Sequence, residues 1–151
     1  WIATTKGRML YSPDTGTHWE VLSTPLKPDR ETRGIFSLDF WDANTGFAIG
    51  GDYTTPEWRG QNKIRTRDGG KHWELVAEGA APGYKSCVQY VPGAGGKDLV
   101  AVGFTGISYS GNGGESWTML SESPYYSLRF LHDSVAYASG RGRISKLVFR
   151  K

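Results

Sequence analysis

The sequence predicts an all-β protein built from short antiparallel strands, and three observations lead to this prediction. Glycine supplies 21 of the 151 residues, about twice the usual share of roughly 7%. Aromatic residues make up 13% of the chain, and no apolar run approaches the roughly 20 residues of a membrane span. Short strand-like runs instead alternate with turn-forming residues. The composition therefore argues against a helical bundle, a coiled coil, a membrane span and a disordered chain.

The charge and the cysteine content narrow the classes of partner and cofactor. The net charge is only +3, from 18 basic and 15 acidic residues, and no basic stripe with a stacking motif indicates a nucleic-acid partner. Cys87 is the single cysteine, so the chain has no internal disulfide. The three scattered histidines make no zinc site with it. The sequence predicts neither a metal nor a cofactor.

An octapeptide of the form Ser/Thr-x-Asp/Asn-x-Gly-x-x-Trp occurs three times, at residues 12–19, 66–73 and 110–117. The short Asp or Asn side chain accepts hydrogen bonds from nearby backbone amides, the glycine supplies a positive φ, and the tryptophan buries a large area on the outgoing strand. Each copy lies between two strand-like runs, so we predict three structural hairpin turns. The pattern residues are Ser12, Asp14, Gly16 and Trp19, then Thr66, Asp68, Gly70 and Trp73, and finally Ser110, Asn112, Gly114 and Trp117.

The octapeptide resembles the Asp-box, or BNR repeat, of sialidases, sortilin-like receptors and related β-propellers. In that family the Asp-box joins the third and fourth strands of a blade and lies away from the ligand-binding face. The third copy departs from the pattern by having Asn112 in place of Asp. Residues 40–50, 66–73 and 137–147 also resemble the photosystem II stability/assembly-factor-like branch of these propellers. The resemblance implies a bacterial protein in the periplasm or outside the cell.

The strand-like runs fall into groups that fit propeller blades of four antiparallel strands in roughly 40–50 residues. We predict whole blades at residues 35–78 and 84–121. A partial blade at 1–24 lacks its first strand, and another at 125–149 lacks its fourth. A closed propeller needs roughly four to eight blades. We therefore expect the C-terminal half of a propeller, an open arc, or a half that pairs with another copy or with a missing N-terminal half.

One face of the predicted propeller collects the turns between second and third strands and the connections between blades. The resemblance implies that this face binds ligands. It is cationic and aromatic, which suits a carboxylate, a phosphate or an acidic peptide. Residues 51–62 form its longest loop, and long loops on rigid scaffolds often carry function. A solvated rim of loop charges and a tolerated insertion are the alternatives. The candidate contact residues are Arg33, Asp52, Tyr53, Trp58, Arg59, Tyr84 and Arg141.

Two functions remain open at this point. The first is a non-catalytic binding or scaffold module that recognises a protein segment or a small anionic ligand. The alternative is a glycoside hydrolase of the sialidase-like type, with catalytic residues partly in a missing N-terminal half. Sialidases use a tyrosine nucleophile, so a carboxylate pair converging with Tyr125 or Tyr126 would favour the enzyme. An oxidoreductase has no support, because the chain has no Rossmann fingerprint and no redox cysteine pair.

Overall fold

The structure, a computed structural model, describes residues 1–150 and confirms the all-β class. Fourteen strands form four antiparallel sheets, and each sheet consists of strands that are consecutive in sequence. The first sheet contains β1 (Ile2–Ala3), β2 (Arg8–Tyr11) and β3 (Glu20–Ser23); the second contains β4 (Arg33–Phe40), β5 (Gly46–Asp52), β6 (Lys63–Thr66) and β7 (Glu74–Leu75); the third contains β8 (Cys87–Tyr90), β9 (Leu99–Gly103), β10 (Gly106–Ser110) and β11 (Thr118–Ser121); the fourth contains β12 (Ser127–His132), β13 (Val135–Gly140) and β14 (Arg143–Val148).

The three octapeptides fold into the same hydrogen-bonded turn, as their side chains predict. In the second turn, the Gly70 N–H donates to Thr66 Oγ1 at 2.8 Å and the His72 N–H donates to Asp68 Oδ1 at 2.9 Å. The first and third turns repeat both bonds with their own residues. Each turn is therefore fixed by side chains within its own eight residues.

The first strands of successive sheets are joined at one edge by side chains. The Val88 N–H of β8 donates to Ser37 Oγ of β4 at 3.0 Å, and the Phe130 N–H of β12 donates to Gln89 Oε1 of β8 at 2.9 Å. An edge strand otherwise leaves such amides without a partner. These bonds hold β4, β8 and β12 side by side, which is the arrangement of a partial β-propeller.

Apolar side chains fill the space between each pair of consecutive sheets, so the protein has three cores in series. The strands alternate their side chains between the two faces, and the inner sheets therefore bury residues on both sides. The central members are Met9 and Ile64 between the first and second sheets, Phe47 and Ala101 between the second and third, and Val100 and Leu128 between the third and fourth.

The turn tryptophans pack against the sheet that precedes their own. Trp73 meets Trp1 edge-on, with ring centroids 6.3 Å apart, and Trp117 lies 5.8 Å from Phe47. The prediction of a buried Trp19 is wrong, since this side chain is 45% exposed. The physical reason is that the described chain has no sheet before the first, so no ring faces Trp19.

Two turn glycines are required by this packing. Gly70 and Gly114 have φ values of 83° and 89°, which disfavour a residue with a side chain. A Cβ at Gly70 would also overlap the Trp1 ring, and a Cβ at Gly114 would overlap the Phe47 ring. At these two junctions, a ring that belongs to one sheet therefore lies directly on a glycine of the next sheet.

Replacing Trp73 with alanine is expected to lower the free energy of unfolding by about 3–5 kcal/mol, because a large buried ring is lost. Trp73→Phe should cost far less. It keeps a ring beside Trp1 and Phe40, and the indole N–H of Trp73 has no acceptor among residues 1–150. Urea denaturation of both variants checks this difference. A loss below about 1 kcal/mol for Trp73→Ala would contradict the packing described here.

Candidate ligand-binding surface

The β5–β6 loop is shorter and more firmly held than the sequence predicts. The strand β5 continues to Asp52 and β6 begins at Lys63, so the loop spans residues 53–62 instead of 51–62. Its Pro56 carbonyl accepts a hydrogen bond from the Tyr84 N–H at 2.9 Å, and its Arg59 carbonyl accepts one from the Gly79 N–H at 2.8 Å. The loop therefore lies against the connection between the second and third sheets.

The expectation that Asp52 lies on an exposed loop is wrong. Asp52 is the last residue of β5 and is fully buried. Its Oδ2 accepts a hydrogen bond from Arg33 Nε at 3.0 Å, and its Oδ1 accepts one from the Thr54 hydroxyl at 2.7 Å. Burial raises the pKa of Asp52, but bonds from Thr54, Thr32 and Arg33 outweigh burial and hold this pKa below its usual range. Asp52 is thus an ionised structural anchor.

Arg33 is likewise a structural residue and not a free cation on a connecting loop. It opens β4, directly opposite Asp52. Its guanidinium also donates to Asp29 Oδ1 at 2.7 Å and lies 4.1 Å from the centre of the Trp58 ring. Two carboxylates and a ring face already match its charge. The half-buried Trp58 is held in this group, beside a cavity of about 260 Å³ that Arg33 also lines.

The connection between the second and third sheets buries Tyr84, which the sequence places on the exposed face, together with its neighbour Lys85. Tyr84 and Lys85 are both buried. Lys85 Nζ donates to the Gly106 carbonyl at 2.9 Å and to the Thr105 hydroxyl at 3.1 Å. Burial lowers the pKa of Lys85 to about 8, although the Glu57 carboxylate acts in the opposite direction. Lys85 therefore fixes the β9–β10 turn.

Lys63, the first residue of β6, is a second buried lysine that fixes a loop. Its Nζ donates to Asn62 Oδ1 at 2.8 Å, to the Ala80 carbonyl at 2.9 Å and to the Pro82 carbonyl at 3.1 Å. Burial lowers the pKa of Lys63 to about 8, and the charge of Arg59 lowers it further. The two lysines make the loops at this face rigid.

Aromatic side chains from separate segments meet on this rigid base. Tyr84 lies 5.3 Å from Phe36 and 4.9 Å from Phe104, measured between ring centroids. Tyr53 lies 6.1 Å from Phe36 and 6.5 Å from Tyr84. The Tyr126 side chain lies near them, since its hydroxyl contributes to the raised pKa of Tyr84, and its backbone carbonyl accepts a hydrogen bond from Ser86 Oγ at 2.8 Å. We call this set the aromatic surface, and it comprises Phe36, Tyr53, Tyr84, Phe104 and Tyr126.

The aromatic surface is partly open to solvent. Tyr53, Phe104 and Tyr126 are exposed, Phe36 is intermediate, and Tyr84 is buried beneath them. Burial raises the pKa of Tyr84, and the neighbouring hydroxyls of Tyr126 and Tyr53 raise it further, against a hydrogen bond with Ser86. The phenol is therefore neutral at pH 7. The surface offers ring faces and hydroxyl groups without a net charge of its own.

The structure separates the predicted contact residues into groups. Tyr53 and Tyr84 belong to the aromatic surface, whereas Arg33, Asp52 and Trp58 form the neighbouring ion-pair group. The remaining two, Arg59 and Arg141, are exposed in the β5–β6 loop and the β13–β14 turn.

Sequence reasoning missed Phe36 and Phe104, and it considered Tyr126 only for catalysis. Phe36 lies at a β-bulge between Ile35 and Ser37, so it departs from the alternation that would assign it to the core. The register of the folded strands relates these positions to one another. In each of the last three sheets, a residue of the first strand pairs with an alanine of the second strand. The residues two positions before it in the chain are Phe36, Ser86 and Tyr126. This position opens toward the same face in three sheets.

Residues 1–150 contain no cluster of three or more His, Cys, Asp or Glu side chains that could hold a metal ion. The same part of the chain contains no helix long and apolar enough to cross a membrane.

Neither the protein-family models nor the curated proteins contain a match to this sequence. Among solved structures, YCF48 bound to a D1 peptide has a TM-score of 0.64 and 20% identity, over 92% of this chain and 42% of that one. An ancestral GH74 enzyme has a TM-score of 0.67 and 17% identity, over 96% of this chain and 20% of that one. YCF48 from Cyanidioschyzon merolae has a TM-score of 0.47 and 12% identity, over 97% and 64%.

The first two likenesses show that the four sheets form part of a β-propeller. The chain spans 42% of the first structure and 20% of the second, which is less than half of each. At 20% and 17% identity they show the fold alone, because one fold supports many functions.

Asp52→Asn is expected to lower the free energy of unfolding by about 3 kcal/mol at pH 7, because it leaves a largely buried Arg33 without its buried counter-charge. Asp29→Asn is the matched control. Asp29 bonds the same guanidinium but is 68% exposed, so its loss should cost below about 1 kcal/mol. Urea denaturation of the two variants measures both values. Equal losses would contradict the assignment of Asp52 as the anchor.

The pH dependence follows from the lowered pKa of Asp52. Its contribution to stability is complete above the unfolded value of 3.8 and is lost as the pH falls through the folded value. The difference in stability between wild type and Asp52→Asn should therefore shrink only below about pH 4.

Raising the pH from 7 to 10 is expected to increase the free energy of unfolding through Lys85. Its pKa is about 8 in the folded chain and 10.5 ordinarily, so between these values the unfolded state binds more protons and stability rises with pH. Lys63 acts with the same sign. Urea denaturation at four pH values measures the rise, and Lys85→Met should reduce it. A wild-type profile that falls between pH 8 and 10 would contradict this prediction.

Proposed function

We propose that this chain is a non-catalytic binding module that holds a peptide segment on the aromatic surface. The observation that carries the proposal is the convergence of four aromatic side chains, with neighbouring ring centroids 4.9–6.5 Å apart, and of Tyr126 beside them. They lie on β4 and on connections held by buried ion pairs and lysines. Tyrosine supplies large contact area at low conformational cost, and aromatic residues are enriched where proteins bind proteins. A rigid, partly exposed group of rings is therefore suited to a peptide.

The charges around the surface favour a peptide over a small anion. Arg33 is matched by two carboxylates, and the Lys85 ammonium points to a carbonyl and a hydroxyl of its own fold. Arg59 and Arg141 remain exposed toward solvent. A small anion needs converging free cations, whereas a peptide takes most of its binding energy from buried ring contacts.

Tyr125 and Tyr126 are the tyrosines considered for a hydrolase, and the contacts of Tyr125 are those of a structural residue. The Tyr125 hydroxyl donates to Ser145 Oγ at 2.9 Å, and Arg143 lies 5.3 Å from the centre of its ring. The Tyr125 hydroxyl is thus engaged with a serine and not with a carboxylate. Glycosidases require a carboxyl pair, or a tyrosine nucleophile with its acid/base partner. These surroundings favour binding over hydrolysis.

The comparison with YCF48 also supports this proposal. That protein shares the partial propeller fold and was solved with a D1 peptide. We infer from the turn bonds that residues 12–19, 66–73 and 110–117 are Asp-boxes of such a propeller. A bacterial periplasmic or secreted location fits this inference and is proposed with it.

The test is selection from a phage-displayed library of random twelve-residue peptides on the immobilised chain, followed by titration of the selected peptides. Tyr53→Ala and Phe104→Ala should each weaken binding at least about tenfold, equivalent to about 1.4 kcal/mol. Both residues are exposed, so the variants should unfold at nearly the wild-type urea concentration. Met119→Ala, at an exposed site on the outer strand β11, is the matched control and should bind normally.

Two results would overturn the proposal. One is a library that yields no peptide for the wild-type chain. The other is a set of selected peptides whose affinity is the same for Tyr53→Ala, Phe104→Ala and Met119→Ala.

A further inference from the structure

The aromatic surface extends across four consecutive connections of the chain. Tyr53 lies in the β5–β6 loop, Tyr84 in the connection between the second and third sheets, Phe104 in the β9–β10 turn, and Tyr126 in the connection between the third and fourth sheets. Tyr84 contacts both Tyr53 and Phe104, and its phenol also lies near that of Tyr126. The rings therefore follow one another across the face, which fits an extended partner.

Neighbouring rings of the aromatic surface stand at steep angles to each other. The Phe36 ring is inclined by 72° to that of Tyr53 and by 67° to that of Tyr84, and the Tyr53 and Tyr84 rings are inclined by 79° to each other. Tyr84 and Phe104 come closer to parallel, at 30°. Rings packed edge to face form ridges and shallow grooves instead of a flat patch. Grooves lined by aromatic rings are the sites that bind polyproline II helices.

The hydrogen-bonding groups of the aromatic surface are unequal in kind. The Tyr84 carbonyl accepts a hydrogen bond from the Thr105 hydroxyl at 3.1 Å, and the Tyr126 carbonyl accepts one from Ser86 Oγ at 2.8 Å. These two backbone acceptors are therefore engaged within the fold. The exposed side chains of Tyr53 and Tyr126 carry hydroxyl groups, which are able to donate. The surface is thus suited to a partner that presents carbonyl groups and few N–H groups.

The charges beside the aromatic surface do not select a charged partner. Arg33 is paired with Asp52 and Asp29, and the exposed Glu57 and Arg59 of the β5–β6 loop have opposite signs. The ring faces are weakly negative, so they attract the weakly positive C–H groups beside the nitrogen of a proline ring. Charge complementarity therefore favours a segment whose contact residues are uncharged and rich in such C–H groups.

We propose, resting on the function proposed above, that the peptide held by the aromatic surface is proline-rich and binds as a polyproline II helix. Proline has no N–H, so this segment presents mainly carbonyl groups, which suit the exposed tyrosine hydroxyls. The helix is extended, with three residues per turn and a rise of about 3.1 Å per residue, so one edge of it follows the rings across the face. Because the helix is largely formed before binding, little conformational freedom is lost.

The peptides selected from the twelve-residue library test this inference. We expect them to be enriched in proline at positions three apart, since such residues lie on one edge of a polyproline II helix. Replacing one of these prolines with alanine should weaken binding at least about tenfold, because it removes the ring and adds an N–H. N-methylalanine is the matched control. It also lacks the N–H, so it should weaken binding less than alanine.

Two variants of the chain test the role of the hydroxyl groups, with fluorescein-labelled decaproline as the probe and fluorescence anisotropy as the measurement. Tyr53→Phe keeps the ring and removes the donor, so it should weaken binding about fivefold, the effect of one hydrogen bond. Tyr137→Phe is the matched control. Tyr137 is 46% exposed, against 47% for Tyr53, and lies within β13, outside the aromatic surface. It should bind decaproline as the wild type does.

The outcomes separate this inference from the proposed function. Selected peptides without enrichment in proline would overturn the inference and leave a peptide-binding module standing. A library that yields no peptide would overturn both. Decaproline that binds Tyr53→Phe and the wild type equally, or binds neither, would also overturn the inference.

Discussion

The contact between a ring on one sheet and a glycine on the next determines how the first three sheets are arranged. Trp1 and Phe47 reach the next sheet only because Gly70 and Gly114 carry no side chain. The repeat turn fixes each glycine through hydrogen bonds from its own residues, so its position is set before the sheets meet. The tryptophan that ends each internal turn then packs beside the same ring. Spacing between sheets is therefore encoded by an eight-residue segment.

The loops above these junctions are held by buried charges. Asp52 binds Arg33, and Lys63 and Lys85 bind carbonyl groups of neighbouring connections. Burying a charge is costly unless it is paired or hydrogen-bonded, so each of these groups restricts its loop to one conformation. The aromatic surface lies on loops restricted in this way. Its rings therefore meet a ligand without first losing much conformational freedom, which favours binding.

The sequence was sufficient for features that depend on neighbours in the chain. The repeat turns and the all-β class follow from local side-chain-to-backbone bonds and from alternation along strands. The site was harder to predict, because Asp52 is buried against Arg33, which lies 19 residues earlier in the chain. Lys85 is likewise covered by the β9–β10 turn, 21 residues away at Gly106. Phe36 could not be placed because a bulge shifts its register. The sequence did not predict these placements because they depend on contacts between residues far apart in the chain.

The serial contact of the sheets also sets where the molecule opens first. In a row of units that touch only their neighbours, an end unit is held by one interface and an inner unit by two. Backbone amides of the second and third sheets, each held by two interfaces, should therefore exchange with solvent only through costly local openings. Phe36, Tyr53, Tyr84 and Phe104 all belong to the two inner sheets or their loops. Four of the five rings of the aromatic surface thus lie on the most firmly held sheets, and the fifth, Tyr126, directly precedes the first strand of the fourth sheet.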